Sequence, residues 1–208
     1  KKDFTELGYV EDAVTRLALV NPQIAMKLQS LGKTIVQTTG SGNIKDTVYS
    51  IFGKEIAENI LNVDYQLEDM RVTGCIGKPE IAKANRTGQL FFVNGRFVKD
   101  KTLTSAAEQA FKSLLPAGKY GFLILNLEID SHKIDVNVHP AKLEIRFQEE
   151  NKIFKLVYHA IKETYAGFVE NKPEEKEEEE DILELIKDGC NMKFDSKELE
   201  RQRDYIYS

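Results

Sequence analysis

The chain has 208 residues, of which 41% are hydrophobic and 30% charged, a composition typical of a globular protein. It contains no apolar run of about 18 residues, which excludes a membrane-spanning helix, and no apolar signal segment opens it. Cys75 and Cys190 lie far apart and fit neither a disulfide framework nor a metal site, so we expect a reducing, cytoplasmic location and no membrane partner.

The net charge of −5 is unevenly distributed along the chain. Residues 166–208 contain seven basic and fourteen acidic residues, and we interpret this stretch as an acidic, largely flexible linker. Residues 71–101 contain seven Lys or Arg against only Glu80 and Asp100. A polyanion could therefore find a basic surface in the middle of an acidic chain.

The first 45 residues predict one helix followed by a short hairpin. In "TELGYVEDAVTRLALV", Leu7, Val10, Val14 and Leu17 recur at helical spacing, and the runs "IAMKL" and "TIVQTT" read as two paired strands. A piece of this size cannot bury much apolar surface alone. We interpret it as the end of a larger unit.

The middle of the chain alternates helices and strands. "DTVYSIF" and "KEIAENIL" predict two short helices hinged at Gly53, and "VDYQL" with "MRVTGCI" predicts two strands joined at Glu68-Asp69. "GKPEIAKANRTGQ" has no periodicity and predicts a loop. "LFFVNGRFV" predicts a hairpin, because Asn94 and Gly95 tolerate the positive φ of a type I′ turn.

The remaining elements complete an α+β fold in which a mixed sheet packs against helices. "DKTLTSAAEQAFKSLLPAG" predicts a helix, "YGFLILNLEI" a buried strand, and "NKIFKLVYHAIKETY" an amphipathic helix. Between the last two, "DVNVHPAKLEIRF" predicts two strands interrupted by His139-Pro140. Proline fixes its own φ and keeps the preceding residue extended, so the interruption is a stiff corner.

"FFVNGRFVKDK", followed by "DVNVHPAKLEIRF", resembles the MutL family of DNA mismatch-repair proteins over residues 1–165. The resemblance implies that residues 46–165 form a transducer domain, a β-α-β unit of the type found in a ribosomal protein and in gyrase B. Residues 1–45 would be the C-terminal remnant of a GHKL-type ATPase subdomain. Residues 166–208 match no part of the family that we can name.

The resemblance also implies site residues. Lys142 would contact the terminal phosphate of ATP, whereas periodicity alone favours a surface lysine beside Glu144. A second set would contact DNA phosphates without reading sequence: Lys83, Arg86, Arg96, Lys99 and Lys101. A third set would have structural roles in the motifs: Asn94, Gly95, Asp135, Asn137, His139 and Pro140. We expect Phe91, Phe92 and Phe97 to be core residues rather than base-stacking platforms.

The chain lacks the nucleotide-binding motifs of GHKL proteins, and "GSGNIK" at residues 40–45 is best read as a plain turn. We therefore expect no enzyme activity, no bound cofactor and no metal in this chain alone. The parent would be an ATPase that uses ATP and Mg²⁺, forms a homodimer, and meets single- or double-stranded DNA and a MutS-type mismatch-recognition protein. Two alternatives are a stand-alone nucleic-acid-binding or partner-docking module, and a transducer of another GHKL protein such as a topoisomerase subunit.

Overall fold

The computed structural model describes residues 2–135 and 144–170, with side chains from residue 6 onward. The helices and strands of the first half are α1 Lys2–Val20, β1 Lys27–Ser30, β2 Lys33–Gln37, α2 Ile44–Phe52, α3 Lys54–Glu58, β3 Ile60–Leu67 and β4 Met70–Gly77. Those of the second half are β5 Gln89–Val93, β6 Arg96–Val98, α4 Lys101–Phe111, β7 Leu123–Glu128, β8 Ile134–Asp135, β9 Arg146–Phe147 and α5 Glu150–Glu170.

A five-stranded mixed sheet organises the fold. Its order is β3-β4-β7-β5-β6, in which β5 and β7 are parallel and the other pairs are antiparallel. The parallel pair is joined through β6 and α4, which is the predicted β-α-β unit. β7 is central, and its run of buried residues is expected for a strand covered on both faces.

Helices cover both faces of this sheet. On one face, Leu123, Leu125 and Leu127 of β7 pack with buried residues of α4 and α5. On the other, Ile124 packs in a second cluster with residues of α1, α2 and α3, including Leu19. Because successive strand residues point to opposite faces, one strand serves both cores. The predicted α+β class, a mixed sheet packed against helices, is confirmed.

The N-terminal region joins this arrangement through one end of α1. Leu19 is buried, whereas Val10 and Leu17 of the apolar stripe predicted for α1 are 47% and 53% exposed. The predicted helix is confirmed. Its apolar stripe does not face the sheet as a whole, because the buried residues of α1 lie near its C-terminal end. The described residues up to Phe168 form one compact unit. The assignment of residues 1–45 to an ATPase subdomain stays a prediction.

The turns follow the predicted chemistry. Asn94 and Gly95 have φ angles of 49° and 77° between the paired residues Val93 and Arg96, as a type I′ hairpin requires. α5 continues to Glu170, beyond the end of its predicted pattern near residue 165.

Within the described residues, no helix combines the length and the apolar character needed to cross a membrane.

The interrupted strand pair is shorter than predicted, because Glu144 and Ile145 are described outside any strand and β9 begins only at Arg146. Ile134 pairs with Phe147 and Asp135 with Arg146, in an antiparallel ladder of two strands. The predicted residues Asn137, His139, Pro140 and Lys142 lie outside the described residues. Their roles stay predictions.

Candidate nucleic-acid interface

Two adjoining cavities form a groove along α4. The first, of about 600 Å³, lies against the β5–β6 hairpin and is lined by Phe97 and Val98. The second, of about 430 Å³, lies toward the end of α4 and is lined by residues through Gly121. The two cavities share Gln89, Ser105 and Glu108. We call this surface the α4 groove.

The α4 groove gathers most of the basic residues predicted to contact DNA. Arg86, Lys99 and Lys101 line its first cavity. Lys83 lies close to the second, because its backbone pairs with Tyr120, a lining residue, through two hydrogen bonds of 2.8 and 3.0 Å. Arg96 is exposed at the tip of the hairpin and lines neither cavity.

Sequence reasoning missed two basic residues of the groove. Lys112 and Lys119 line the second cavity, and both are exposed. Lys112 follows the last turn of α4, and Lys119 follows the Pro116–Gly118 stop. The sequence did contain one signal for Lys112, which lies three helical turns after Lys101 and therefore on the same side of α4. Nothing in the sequence places Lys112 or Lys119 in the same groove as Arg86.

Arg86 is already engaged by the protein. Its Nε lies 2.5 Å from Oε1 of Glu108, and its guanidinium lies 5.0 Å from the ring centre of Tyr120. The backbone around it is shaped by Asn85, whose Oδ1 accepts hydrogen bonds from the amide and the hydroxyl of Thr87. Glu108 therefore offsets the charge of Arg86 in the middle of the groove.

Three acidic residues moderate the positive charge of the α4 groove: Asp100, Glu108 and Glu144. Asp100 caps α4, since its Oδ1 accepts a hydrogen bond of 3.0 Å from the amide of Leu103. Burial raises the pKa of the Asp100 carboxyl above its ordinary value. Its role in capping is structural, so it is not a candidate catalytic acid.

The hairpin beside the groove is tied to β7 by a residue predicted only as a turn former. The side chain of Asn94 donates to the carbonyl of Ile129 at 2.8 Å and accepts from its amide at 3.0 Å. The amide of Gly95 donates to Oδ1 of Asn126 at 2.9 Å. These bonds fix the turn of the hairpin to β7 and to the residue after it. They thereby also fix the start of β6, which follows the turn.

The aromatic residues of the hairpin belong mainly to the core. Phe91 and Phe92 are buried, as predicted. Phe97 is only partly buried and lines the groove, and the guanidinium carbon of Arg16 lies 3.7 Å from its ring centre. An arginine on α1 thus covers one face of the ring that would otherwise be open to a nucleobase.

The loop at residues 40–45 has a geometry that disfavours a phosphate. At the start of α2, the hydroxyl of Ser41 donates to the carboxylate of Asp46 at 2.6 Å, and Asn43 accepts from the amide of Lys45. A carboxylate in this position disfavours a phosphate, and the loop's own hydrogen bonds occupy its polar groups. Across residues 2–135 and 144–170 no cluster of His, Cys, Asp or Glu could hold a metal ion.

The cysteine in the described part of the chain has no sign of reactivity. Cys75 lies in the cluster between the sheet and α1–α3, and burial raises the pKa of its thiol to about 12. It packs as a small apolar residue. Cys190 lies outside the described residues.

Comparison with known proteins agrees with this fold. A family described as "DNA mismatch repair protein, C-terminal domain" matches residues 48–166, more than half of the chain. The DNA mismatch repair protein MutL of Thermoanaerobacter pseudethanolicus is 40% identical over 179 residues, which cover 85% of this chain and 29% of that protein. MutL of Symbiobacterium thermophilum is 42% identical over 162 residues, covering 78% and 26%.

Solved structures share the fold at lower identity. The N-terminal domain of a DNA repair protein superposes with a TM-score of 0.63 at 22% identity, covering 77% of this chain and 54% of that one. The ATPase domain of the mismatch repair endonuclease MutL of Aquifex aeolicus superposes with a TM-score of 0.51 at 18% identity, covering 77% and 53%. This chain spans less than a third of the length of the curated relatives named above. The chain belongs to the MutL family of DNA mismatch repair proteins.

Proposed function

We propose that this chain is the transducer region of a longer MutL-type protein, in which it couples ATP binding to DNA binding. The observation that carries the proposal is the position of Glu144. This residue lines the α4 groove, and it lies two positions after Lys142 in the sequence. The residue predicted to meet ATP and the surface predicted to meet DNA are therefore joined by a very short stretch of chain.

DNA binding is proposed for the α4 groove and the adjoining hairpin. Lys99, Lys101, Lys112 and Lys119 present ammonium groups along the groove, and exposed Arg96 extends the positive surface to the hairpin tip. Such groups bind phosphates and do not distinguish bases. The groove would therefore bind single- or double-stranded DNA without sequence specificity, with an affinity that falls steeply as salt is added.

The nucleotide belongs to the remainder of the parent protein. The ATP-binding residues and the Mg²⁺ ligands would come from outside this chain, because its sequence lacks the nucleotide-binding motifs of GHKL proteins. When bound, ATP would supply the negative terminal phosphate that Lys142 contacts. Lys142 would then stabilise the arrangement in which the parent holds nucleotide, and the chain alone would not be an enzyme.

Coupling requires that ATP bind one arrangement of the parent more tightly than another. A transducer in contact with both ligands meets this requirement, since the orientation that places Lys142 on the phosphate also orients the α4 groove. We propose that the parent is a cytoplasmic homodimer that acts with a MutS-type mismatch-recognition protein. The MutL relatives are DNA mismatch repair proteins by name.

A salt series tests the DNA surface. We expect Lys99→Gln with Lys101→Gln to weaken binding of a random-sequence DNA duplex about tenfold at low salt, and to lower the slope of log K against log salt by about 0.9 per lost contact. The measurement is fluorescence anisotropy of labelled DNA from about 50 to 200 mM salt.

The matched control is Lys27→Gln with Lys33→Gln, which removes two exposed lysines from β1 and β2, outside the groove. It should leave the affinity and the slope nearly unchanged. Binding that ignores salt, or that falls equally in the control, would contradict the DNA role. A partner-docking domain would then be the better assignment.

A further inference from the structure

The first cavity of the α4 groove has little net positive charge. It is lined by two lysines, Lys99 and Lys101. It is also lined by Asp100 and Glu144, whose carboxylates offset both ammonium charges. A further acid lies nearby, since Glu150 shares a small neighbouring cavity with Lys101. A phosphate that enters the first cavity would therefore meet carboxylates as well as lysines, and their repulsion would oppose the attraction.

The second cavity has a different balance of charge. It is lined by Lys112 and Lys119, and the acid that lines it among the described residues is Glu108. Glu108 is already paired with Arg86, whose guanidinium lies over a ring that lines the same cavity. Lys83 adds an exposed cation beside the cavity, because its backbone pairs with another lining residue. The second cavity therefore keeps a net positive charge that the first has lost.

The dipole of α4 does not reverse this difference. A helix carries roughly half a positive charge at its N-terminus and roughly half a negative charge at its C-terminus. Lys101 lies at the first end of α4, and Lys112 directly follows the last residue at the other end. The dipole thus favours the first cavity by about one unit of charge. The two carboxylates that line only the first cavity outweigh it.

The loop that carries Lys119 is held firmly against α4. The amide of Lys119 donates to the carbonyl of Pro116 at 3.1 Å, and the side chain of Gln89 donates to the carbonyl of Gly121 at 3.3 Å. A Cβ on Gly121 would lie 2.4 Å from the ring of Phe111, so the loop packs on the helix without a gap. The second cavity is therefore formed in advance, and a phosphate could bind without first ordering the loop.

The two pairs of lysines lie at opposite ends of α4. The helix has 11 residues and is therefore about 16 Å long. Successive nucleotides of one B-form strand advance by about 3.4 Å, so about five nucleotides are needed to reach from one cavity to the other. A trinucleotide is too short to occupy both cavities. Short and long strands can therefore separate the contributions of the two ends.

We propose that the second cavity is the principal phosphate-binding subsite of the α4 groove, and that the first cavity is a weaker subsite reached by the same strand. Lys112 and Lys119 form the principal subsite, with Lys83 beside them. Lys99 and Lys101 form the weaker one. This inference rests on the proposed binding of DNA by the groove, and it adds the order in which the cations of the groove contribute.

Two double variants with the same change in charge test the proposal: Lys112→Gln with Lys119→Gln, and Lys99→Gln with Lys101→Gln. The probes are fluorescently labelled thymidine oligonucleotides of three and twelve nucleotides, titrated at low salt with the whole chain of 208 residues. For the trinucleotide, we expect the Lys112 and Lys119 variant to lose about tenfold in affinity and the other variant less than about twofold. For the dodecanucleotide, both variants should lose affinity, the Lys112 and Lys119 variant more, and the slope of log K against log salt should fall by about 0.7 per lost contact.

A further variant tests the second cavity with all its lysines present. Gln109→Glu adds a carboxylate at an exposed position that lines only the second cavity. It should weaken binding of the trinucleotide severalfold. The four substituted lysines are exposed as well, so none of these variants should lower the unfolding temperature, which circular dichroism measures.

The outcomes separate this inference from the proposed function. Equal losses of affinity in the two double variants, or a larger loss when Lys99 and Lys101 are replaced, would overturn the proposed order of the subsites. Unchanged trinucleotide binding in Gln109→Glu would also count against the second cavity as the principal subsite. If the unaltered chain binds neither oligonucleotide nor duplex DNA, the proposed DNA function fails, and the order of the subsites fails for that separate reason.

Discussion

At the scale of single residues, charge pairing decides which cations of the α4 groove are available. Exposed Lys99 and Lys101 carry charges that can meet a phosphate, whereas Arg86 is held by Glu108 and lies against Tyr120. The sequence shows that Arg86 lies in a basic stretch. It does not show that Arg86 pairs with Glu108 of α4, twenty-two residues later in the chain. Glu108 therefore limits the affinity of the groove for polyanions in our proposal.

The first prediction concerns Glu108→Gln. Removing the carboxylate frees the guanidinium of Arg86, which adds one cation to the middle of the groove. We expect DNA affinity to rise severalfold at low salt, with a slope of log K against log salt steeper by about 0.9. Anisotropy titrations with labelled duplex measure both quantities.

Glu58→Gln is its control, because it removes a carboxylate paired with Lys54 at 3.6 Å on α3 and makes the same change in net charge. A similar gain in both variants would show that net charge, and not Arg86, controls binding. A loss of affinity in Glu108→Gln would show that Glu108 is needed to hold Arg86 in position.

At the scale of elements, the close approach of β4 and β7 depends on Gly74. Its φ is 133°, and a Cβ at this position would lie 2.0 Å from the carbonyl oxygen of Ile124 on β7. Both the backbone conformation and the contact exclude a side chain. The two strands form the centre of the sheet, so their separation sets the packing of both cores.

The second prediction is that Gly74→Ala destabilises the domain by about 3 kcal/mol or more, because the strands must separate to admit the methyl group. Urea unfolding followed by circular dichroism measures the free energy of unfolding. Gly32→Ala is the comparison. Its φ is 76° with no heavy atom near the added Cβ, so it reports the backbone strain alone, about 1 kcal/mol. Equal losses of unfolding free energy in the two variants would show that the contact between the added Cβ and Ile124 has no effect on stability.

At the scale of the whole molecule, the chain spans 29% of the length of a MutL relative, and its described residues include a five-stranded sheet. The apolar side chains of Tyr9, Val10 and Leu17 are exposed on α1. In our proposal, the activity of the parent depends on residues outside this chain.

The third prediction is that the isolated chain neither hydrolyses ATP nor gains thermal stability when ATP and Mg²⁺ are added. A ligand that binds only the folded state raises the unfolding temperature, so thermal melting detects binding independently of hydrolysis. Phosphate release measures turnover. The full-length parent should give a signal in both measurements. Turnover by the pure fragment that is abolished in Lys142→Ala would contradict our assignment.

Local sequence patterns were sufficient to predict most helices and strands and the sheet-against-helix arrangement, because apolar periodicity and turn residues act over a few positions. They placed Ile60 in a helix, whereas it begins β3. The Asn94-Gly95 hairpin is the clearest case, since its turn chemistry is contained in two residues. The family motifs were equally local, and they led to the MutL assignment that comparison with relatives bears out.

The tertiary structure decided which distant residues meet. The pairing of Arg86 with Glu108, the bonds of Asn94 to Ile129, and the placement of Lys112 and Lys119 along one groove depend on how β5, β7 and α4 pack together. The exposure of Val10 and Leu17 was settled in the same way. Contacts between residues far apart in the chain are set by strand register and helix packing, and no local pattern of residue types contains that information.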